Sequence, residues 1–185
     1  MHNNYRVILR TIGLVLIFEG IAMLVPLAYA VWLDDASATA FFTPAVFCLG
    51  LGLFIHTQLK YYTLKIKQRE SYFIAFVCWI TVSFMGIFPY MLADQGYSLA
   101  DCIFESVSGW TTTGAWTVNV PSMPKPLLLW KATTNWLGGM GILLLTISFF
   151  PVLGVEGQKM INAEMPGIQV EKMSTRISDT AKISY

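Results

Sequence analysis

Residues 98–115 read SLADCIFESVSGWTTTGA, and this stretch decides the fold. Ser98 stands three residues before Asp101, which is the spacing of a capped helix start. Apolar side chains then recur at helical spacing until Gly109, so the sequence predicts a helix of about a dozen residues. At about 1.5 Å per residue, such a helix reaches only about halfway through a bilayer. We therefore expect it to enter a membrane and turn back.

The segment that follows, Trp110-Thr-Thr-Thr-Gly-Ala115, is typical of a cation filter. Non-helical backbone is tolerated in a bilayer only where it is buried in protein or lines water. The C-terminal end of the preceding helix carries partial negative charge, and an extended backbone directs successive carbonyl oxygens at one axis. A threonine-rich extracellular turn is the competing interpretation. The half-length helix and the apolar runs on both sides favour a re-entrant pore loop.

Long apolar segments lie on both sides of this loop. Of the 185 residues, 55% are hydrophobic and only 12% are charged, which is about half the charged fraction of a soluble domain. A cleaved signal peptide ending near residues 28–30 is an alternative for the first segment, and it would leave three spans. The sequence predicts an all-α membrane protein with four transmembrane helices plus one re-entrant pore half-helix and filter loop. The predicted spans are Ile8–Val31, Phe41–Leu59, Tyr72–Leu92 and Leu127–Phe150.

The basic residues indicate the orientation of these spans. All lysines and arginines except Lys125 and Lys131 lie before or at the start of the first span, between the second and third, or after the fourth. The other two connections carry mainly acidic side chains. Because basic residues are enriched in cytoplasmic loops, we expect both termini to lie in the cytoplasm.

Several classes of function are disfavoured by the sequence. It contains no nucleophile–base pair, metal-ligand cluster or phosphate-binding loop, so we do not expect an enzyme. Its net charge is +1, and it has no basic stripe that would favour a nucleic-acid partner. Its three cysteines have no paired spacing, which argues against a disulfide framework or a zinc site.

Four motifs resemble one family of transporters. Phe104-Glu-Ser-Val-Ser-Gly-Trp-Thr-Thr-Thr-Gly-Ala115 resembles the first pore-loop signature of the TrkH/KtrB potassium transporter superfamily. Asn135-Trp-Leu-Gly-Gly-Met-Gly-Ile142 is similar to the helix that follows this loop in TrkH members. Ala163-Glu-Met-Pro-Gly167 and Asp179-Thr-Ala-Lys182 resemble the stretch that leads to the second repeat. The resemblance covers essentially the whole chain.

The resemblance implies an architecture similar to that of potassium channels. In this superfamily, four helix–pore–helix repeats in one chain surround a pore, and TrkH members carry two additional helices before the first repeat. On this pattern, residues 1–63 hold the two extra helices and residues 64–153 hold the first repeat. Residues 154–185 are then a cytoplasmic connection towards a second repeat.

The resemblance also implies a function and its site. We expect potassium uptake across the cytoplasmic (inner) membrane of a bacterium, with membrane lipid around the helices. The resemblance implies a homodimer and a cytosolic, Rossmann-type, nucleotide-binding regulatory subunit. We expect Glu105 and Asn135 to support the filter. The residues expected to bind the potassium ion, mainly through backbone oxygens, are Thr112, Thr113, Gly114 and Ala115, with Thr111 at the margin.

A single loop supplies one quarter of a fourfold filter, so we expect the chain to be a fragment of a four-repeat protein. Two alternatives remain open at this point. In the first, the chain is a cation-channel subunit that tetramerises. In the second, it is a membrane scaffold that binds a partner without transporting. Replacing Thr113 or Gly114 is expected to abolish selectivity or flux in a pore protein and to leave a scaffold intact.

Overall fold

The computed structural model describes residues 4–59 and 68–143 of the chain. Within these ranges every regular element is a helix, which confirms the mainly helical prediction. A short 3₁₀ turn at Val120–Ser122 precedes the last of them. The helices are α1 (Asn4–Trp32), α2 (Ala38–Gln58), α3 (Gln68–Met85), α4 (Phe88–Leu92), α5 (Leu99–Trp110) and α6 (residues 125–143).

Three segments in the described part of the chain are long and apolar enough to cross a membrane. They agree with the first three predicted spans to within a few residues. Of the fourth predicted span, residues 127–143 are helical, whereas residues 144–150 lie outside the described residues. The three segments are Arg6–Trp32, Ala38–Gln58 and Tyr72–Leu92.

Glycines allow α1 and α2 to pack closely. A Cβ atom added to Gly52 would lie only 2.7 Å from the carbonyl oxygen of Gly13, and one added to Gly20 would lie 2.7 Å from Leu49 Cγ. Small residues at such contacts let two helix backbones approach each other in a membrane. The α1–α2 pair is therefore built by close backbone packing.

The third predicted span is interrupted rather than continuous. Helix α3 ends at Met85, and α4 begins at Phe88. Pro89 has no N–H group to donate to the carbonyl four residues earlier, and this loss bends or breaks a helix. The Tyr90 N–H bonds to the Ile87 carbonyl at 3.1 Å instead of continuing the α-helical pattern.

Trp130 of α6 contacts this bend and also packs against α2 and α5. Its side chain is fully buried, and its indole Nε1 donates to the Gly86 carbonyl at 3.4 Å. Its ring meets Phe41 and Trp110 edge-on, with centroids 6.3 and 6.4 Å away. Edge-to-face pairs at these distances are favourable aromatic contacts. Trp130 thereby anchors the end of α5, from which the predicted filter begins.

The chain divides into two compact units, Met1–Leu137 and Gly138–Tyr185. The residues discussed below belong to the first unit. The predicted functional division into residues 1–63, 64–153 and 154–185 stays a prediction, and residues 154–185 lie outside the described residues.

Candidate functional site: the loop after helix α5

Helix α5 begins with a reciprocal capping box. The Asp101 N–H donates to Ser98 Oγ at 3.2 Å, and the Ser98 N–H donates to Asp101 Oδ2 at 3.1 Å. The Ser98 hydroxyl also donates to Asp101 Oδ2 at 2.6 Å. Because the two hydrogen bonds that Ser98 donates to the carboxylate favour its charged form, they lower the pKa of Asp101 below its ordinary value. The predicted helix start at Ser98 is confirmed.

The two faces of α5 are reversed relative to a helix on a soluble protein. It has 12 residues, which corresponds to a length of about 18 Å. The face that packs into the unit carries Glu105, Ser106 and Ser108 beside Cys102 and Trp110, while the opposite, apolar face is exposed. Ionisable side chains that lie at membrane depth face the protein interior in this way. The exposed apolar residues are Leu99, Ile103, Phe104 and Val107.

Gly109 allows α5 and α6 to pack in contact. A Cβ atom on this residue would lie 2.3 Å from Thr134 Oγ1. Gly109 lies inside α5, which continues for one more residue to Trp110. The sequence pattern suggested that Gly109 ends the helix, but its role in the structure is to permit this close approach.

The backbone after α5 enters the left-handed region twice. Thr112 has φ of 58° and Gly114 has φ of 68°. Glycine adopts this conformation readily, whereas it costs a residue with a side chain about 1–2 kcal/mol. A β-branched residue is rare there, and strained backbone is concentrated at functional sites. The strain at Thr112 therefore marks this loop as a candidate site.

Four consecutive carbonyl oxygens in this loop accept no hydrogen bond within the described part of the chain. Residues 111–114 are exposed, and two donors beside the loop, Ser108 and Lys131, bond to the Ala115 carbonyl instead. The Thr111 and Thr113 hydroxyls lie 2.8 Å apart, and the Thr111 hydroxyl also donates to the Val107 carbonyl at 2.7 Å. The Gly114 N–H donates to the Ser108 carbonyl at 3.2 Å, which holds the loop against α5.

The carbonyl of Ala115 differs from those before it. It accepts hydrogen bonds from Ser108 Oγ at 2.8 Å and from Lys131 Nζ at 3.1 Å. The sequence grouped Ala115 with the ion-binding residues, and that assignment stays a prediction. Two protein donors on its oxygen distinguish it from residues 111–114.

A buried ion pair lies behind the loop. Lys131 Nζ is 2.6 Å from Glu105 Oε2, and the two side chains are only 3% and 0% exposed. The other carboxylate oxygen, Oε1, accepts from the Thr117 N–H at 2.8 Å and from the Thr117 hydroxyl at 3.2 Å. The ring of Trp116 lies 4.8 Å from the ammonium nitrogen. Glu105 thus connects α5, the loop and α6.

The predicted site residues are only partly brought together. Residues 111–115 and Glu105 form one cluster, while Asn135 is exposed and makes no hydrogen bond to the loop among the described residues. Lys131 also belongs to this cluster, although from the sequence it was considered only among the basic residues that indicate the orientation of the spans. The available signal was an ionisable side chain inside an apolar span, which is functional by default.

The chain is similar to known cation transport proteins. The family model described as "TrkH: Cation transport protein" matches residues 38–185. The chain is 34% identical to the Trk system potassium uptake protein TrkH of Vibrio parahaemolyticus over 185 residues, covering 97% of this chain and 38% of that protein. The protein of the same name from Escherichia coli (strain K12) is also 34% identical, with the same two coverages.

A solved structure is similar over the whole chain. The crystal structure of the potassium transporter TrkH from Vibrio parahaemolyticus has a TM-score of 0.80 and 30% sequence identity. The match covers 100% of this chain and 36% of that one. The chain therefore spans less than two fifths of the length of the relatives that it matches.

Proposed function

Because the chain belongs to the TrkH family of cation transport proteins, we propose that it is the first part of a subunit that takes up potassium across a bacterial cytoplasmic membrane. Membership in a transporter family means that the chain is not an enzyme. The names of its relatives, Trk system potassium uptake protein, support potassium as the transported ion. Three apolar helical segments of sufficient length support a membrane location.

In this proposal the carbonyl oxygens of residues 111–114 bind the ion, with Thr112, Thr113 and Gly114 at the centre. The observation that carries the proposal is that these carbonyls accept no hydrogen bond among the described residues, whereas the next one accepts two. Carbonyls without protein donors are available to replace the water around a cation. The C-terminal end of α5, next to the loop, adds partial negative charge.

Helix α5 acts here as a re-entrant pore helix. Its length of 12 residues is too short to cross a bilayer. Its exposed apolar face and its buried polar face suit a helix surrounded by apolar groups rather than by water. Helices α3 and α4, then α5, then α6 would form one helix–pore–helix repeat, preceded by the additional pair α1 and α2.

The complete protein would contain more than this chain. The share of the relatives that is covered, 38%, supports two additional helices followed by one repeat of a four-repeat pore. The distribution of basic residues supports cytoplasmic termini. The family resemblance supports a homodimer that works with a cytosolic, Rossmann-type, nucleotide-binding subunit. In this proposal, membrane lipid surrounds the helices.

The proposal is tested by growth at low potassium in a bacterial strain that lacks potassium uptake. The 185-residue chain and the reading frame extended past Tyr185 are expressed separately, with membrane insertion measured for both. We expect rescue by the extended frame alone. Rescue by the short chain would instead mean that one repeat assembles a pore, and rescue by neither would contradict potassium uptake.

A further inference from the structure

We propose that Lys131 is a positioning residue of the filter and that it ends the row of ion-binding carbonyls at Gly114. Its ammonium group holds the Ala115 carbonyl on the protein side, while Glu105 neutralises its charge. This inference rests on the proposed function, and it adds a selectivity role for a residue behind the loop.

All three protons of the ammonium group are used. Lys131 Nζ donates to Glu105 Oε2 at 2.6 Å, to the Glu105 carbonyl at 2.9 Å and to the Ala115 carbonyl at 3.1 Å. A lysine ammonium has three donors and no acceptor. Its hydrogen-bonding capacity is therefore filled by one residue of α5 and one residue of the loop. A lysine that extends towards water to solvate its charge would instead leave its nitrogen exposed.

The Ala115 carbonyl is correspondingly saturated. A carbonyl oxygen has two lone pairs, and here they accept from Ser108 Oγ at 2.8 Å and from Lys131 Nζ. A cation that approached this oxygen would have to displace a charged donor and would meet its positive charge. The carbonyls of residues 111–114 present no such obstacle, because no donor among the described residues contacts them.

Glu105 makes this position of a positive charge compatible with a cation site. An uncompensated ammonium group beside the loop would repel the ion that the loop binds, and the effect is strong where water is excluded. The carboxylate cancels the charge through Oε2, while Oε1 accepts two hydrogen bonds from Thr117. The ring of Trp116, 4.8 Å from Nζ, covers the pair in a cation–π contact.

The test compares potassium and sodium uptake by the extended frame in wild-type form and with substitutions behind the loop. Lys131→Met removes the donor while keeping the length of the side chain. Lys125→Met is the matched control, because Lys125 is an exposed lysine on the same helix. We expect Lys131→Met to lower the potassium-over-sodium uptake ratio about tenfold, the size of the loss of one charge-assisted hydrogen bond. The control is expected to keep the wild-type ratio.

A double variant separates positioning from stability. Glu105→Gln combined with Lys131→Met removes both buried charges together and keeps an acceptor for the Thr117 N–H. Replacing a whole buried ion pair is often neutral for stability, whereas removing one partner is not. We therefore expect the double variant to insert in normal amounts and still to show the reduced ratio.

Three results would overturn the inference. A wild-type ratio in an inserted Lys131→Met variant would exclude a positioning role. A wild-type ratio in the double variant would mean that Lys131 serves only to neutralise Glu105. If the wild-type extended frame takes up no potassium at all, then the proposed function itself fails, which is distinguishable from both other results.

Discussion

Gly109 and Thr134 are in such close contact that a single added carbon would overlap with the threonine hydroxyl. The distance from an ideal Cβ on Gly109 to Thr134 Oγ1 is 2.3 Å. Thr134 is buried, and its hydroxyl also donates to the Lys131 carbonyl at 3.0 Å. This contact fixes the separation of α5 and α6, and with it the place of Lys131 behind the loop.

The first prediction concerns this contact. Gly109→Ala is expected to destabilise the protein by about 1–3 kcal/mol, because overpacking of a close contact costs about that much. Thermal unfolding of the purified protein in detergent measures the change. Adding Thr134→Ala should recover part of the loss, since it removes the overlapping oxygen. Gly50→Ala is the control, because a Cβ atom at Gly50 meets no atom within 4 Å.

The second prediction concerns the pH dependence of the α5 capping box. Hydrogen bonds from Ser98 lower the pKa of Asp101 below 3.8. A group whose pKa is lowered by folding stabilises the folded state above its ordinary pKa, and the effect disappears as the pH falls through the lowered value. Asp101→Asn should therefore have a lower melting temperature than wild type at neutral pH.

The difference between the two proteins is expected to shrink as the pH falls below about 4, and thermal unfolding over a pH series measures it. Asp94→Asn is the control, because Asp94 lies in the turn before α5 with φ of 51°, which asparagine tolerates. A constant difference between wild type and Asp101→Asn at every pH would contradict the charge-dependent cap.

The features that the sequence predicts correctly are local or depend on the length of an apolar segment. Apolar runs mark three spans, because crossing a bilayer requires about 20 residues of continuous low polarity. The start of α5 follows from the spacing of Ser98 and Asp101, which are three residues apart. The break before α4 was also encoded locally by Pro89, but the apolar run through it concealed the signal.

The features that were missed depend on contacts between distant residues. Glu105 and Lys131 are separated by 26 positions, so no motif spacing identifies them as a pair. The distinction between the Ala115 carbonyl and those before it depends on donors from α5 and α6. The direction of the α5 apolar face likewise depends on what surrounds the helix, because periodicity alone does not distinguish an outer face from an inner one.

The most direct test of the account compares two glycines with the same backbone angle in the extended frame. Gly114 and Gly96 both have φ of 68°, and a Cβ atom on either one meets no atom within 4 Å. Alanine at either position therefore carries the same strain of about 1–2 kcal/mol, but only Gly114 lies in the proposed filter. The measurement is the initial rate of potassium uptake, normalised to the amount of inserted protein.

We expect Gly114→Ala to lower this rate about tenfold or more, as a barrier increase of about 1.4 kcal/mol would, and Gly96→Ala to retain it. Equal rates in the two variants at equal insertion would contradict the assignment of the filter to the loop after α5.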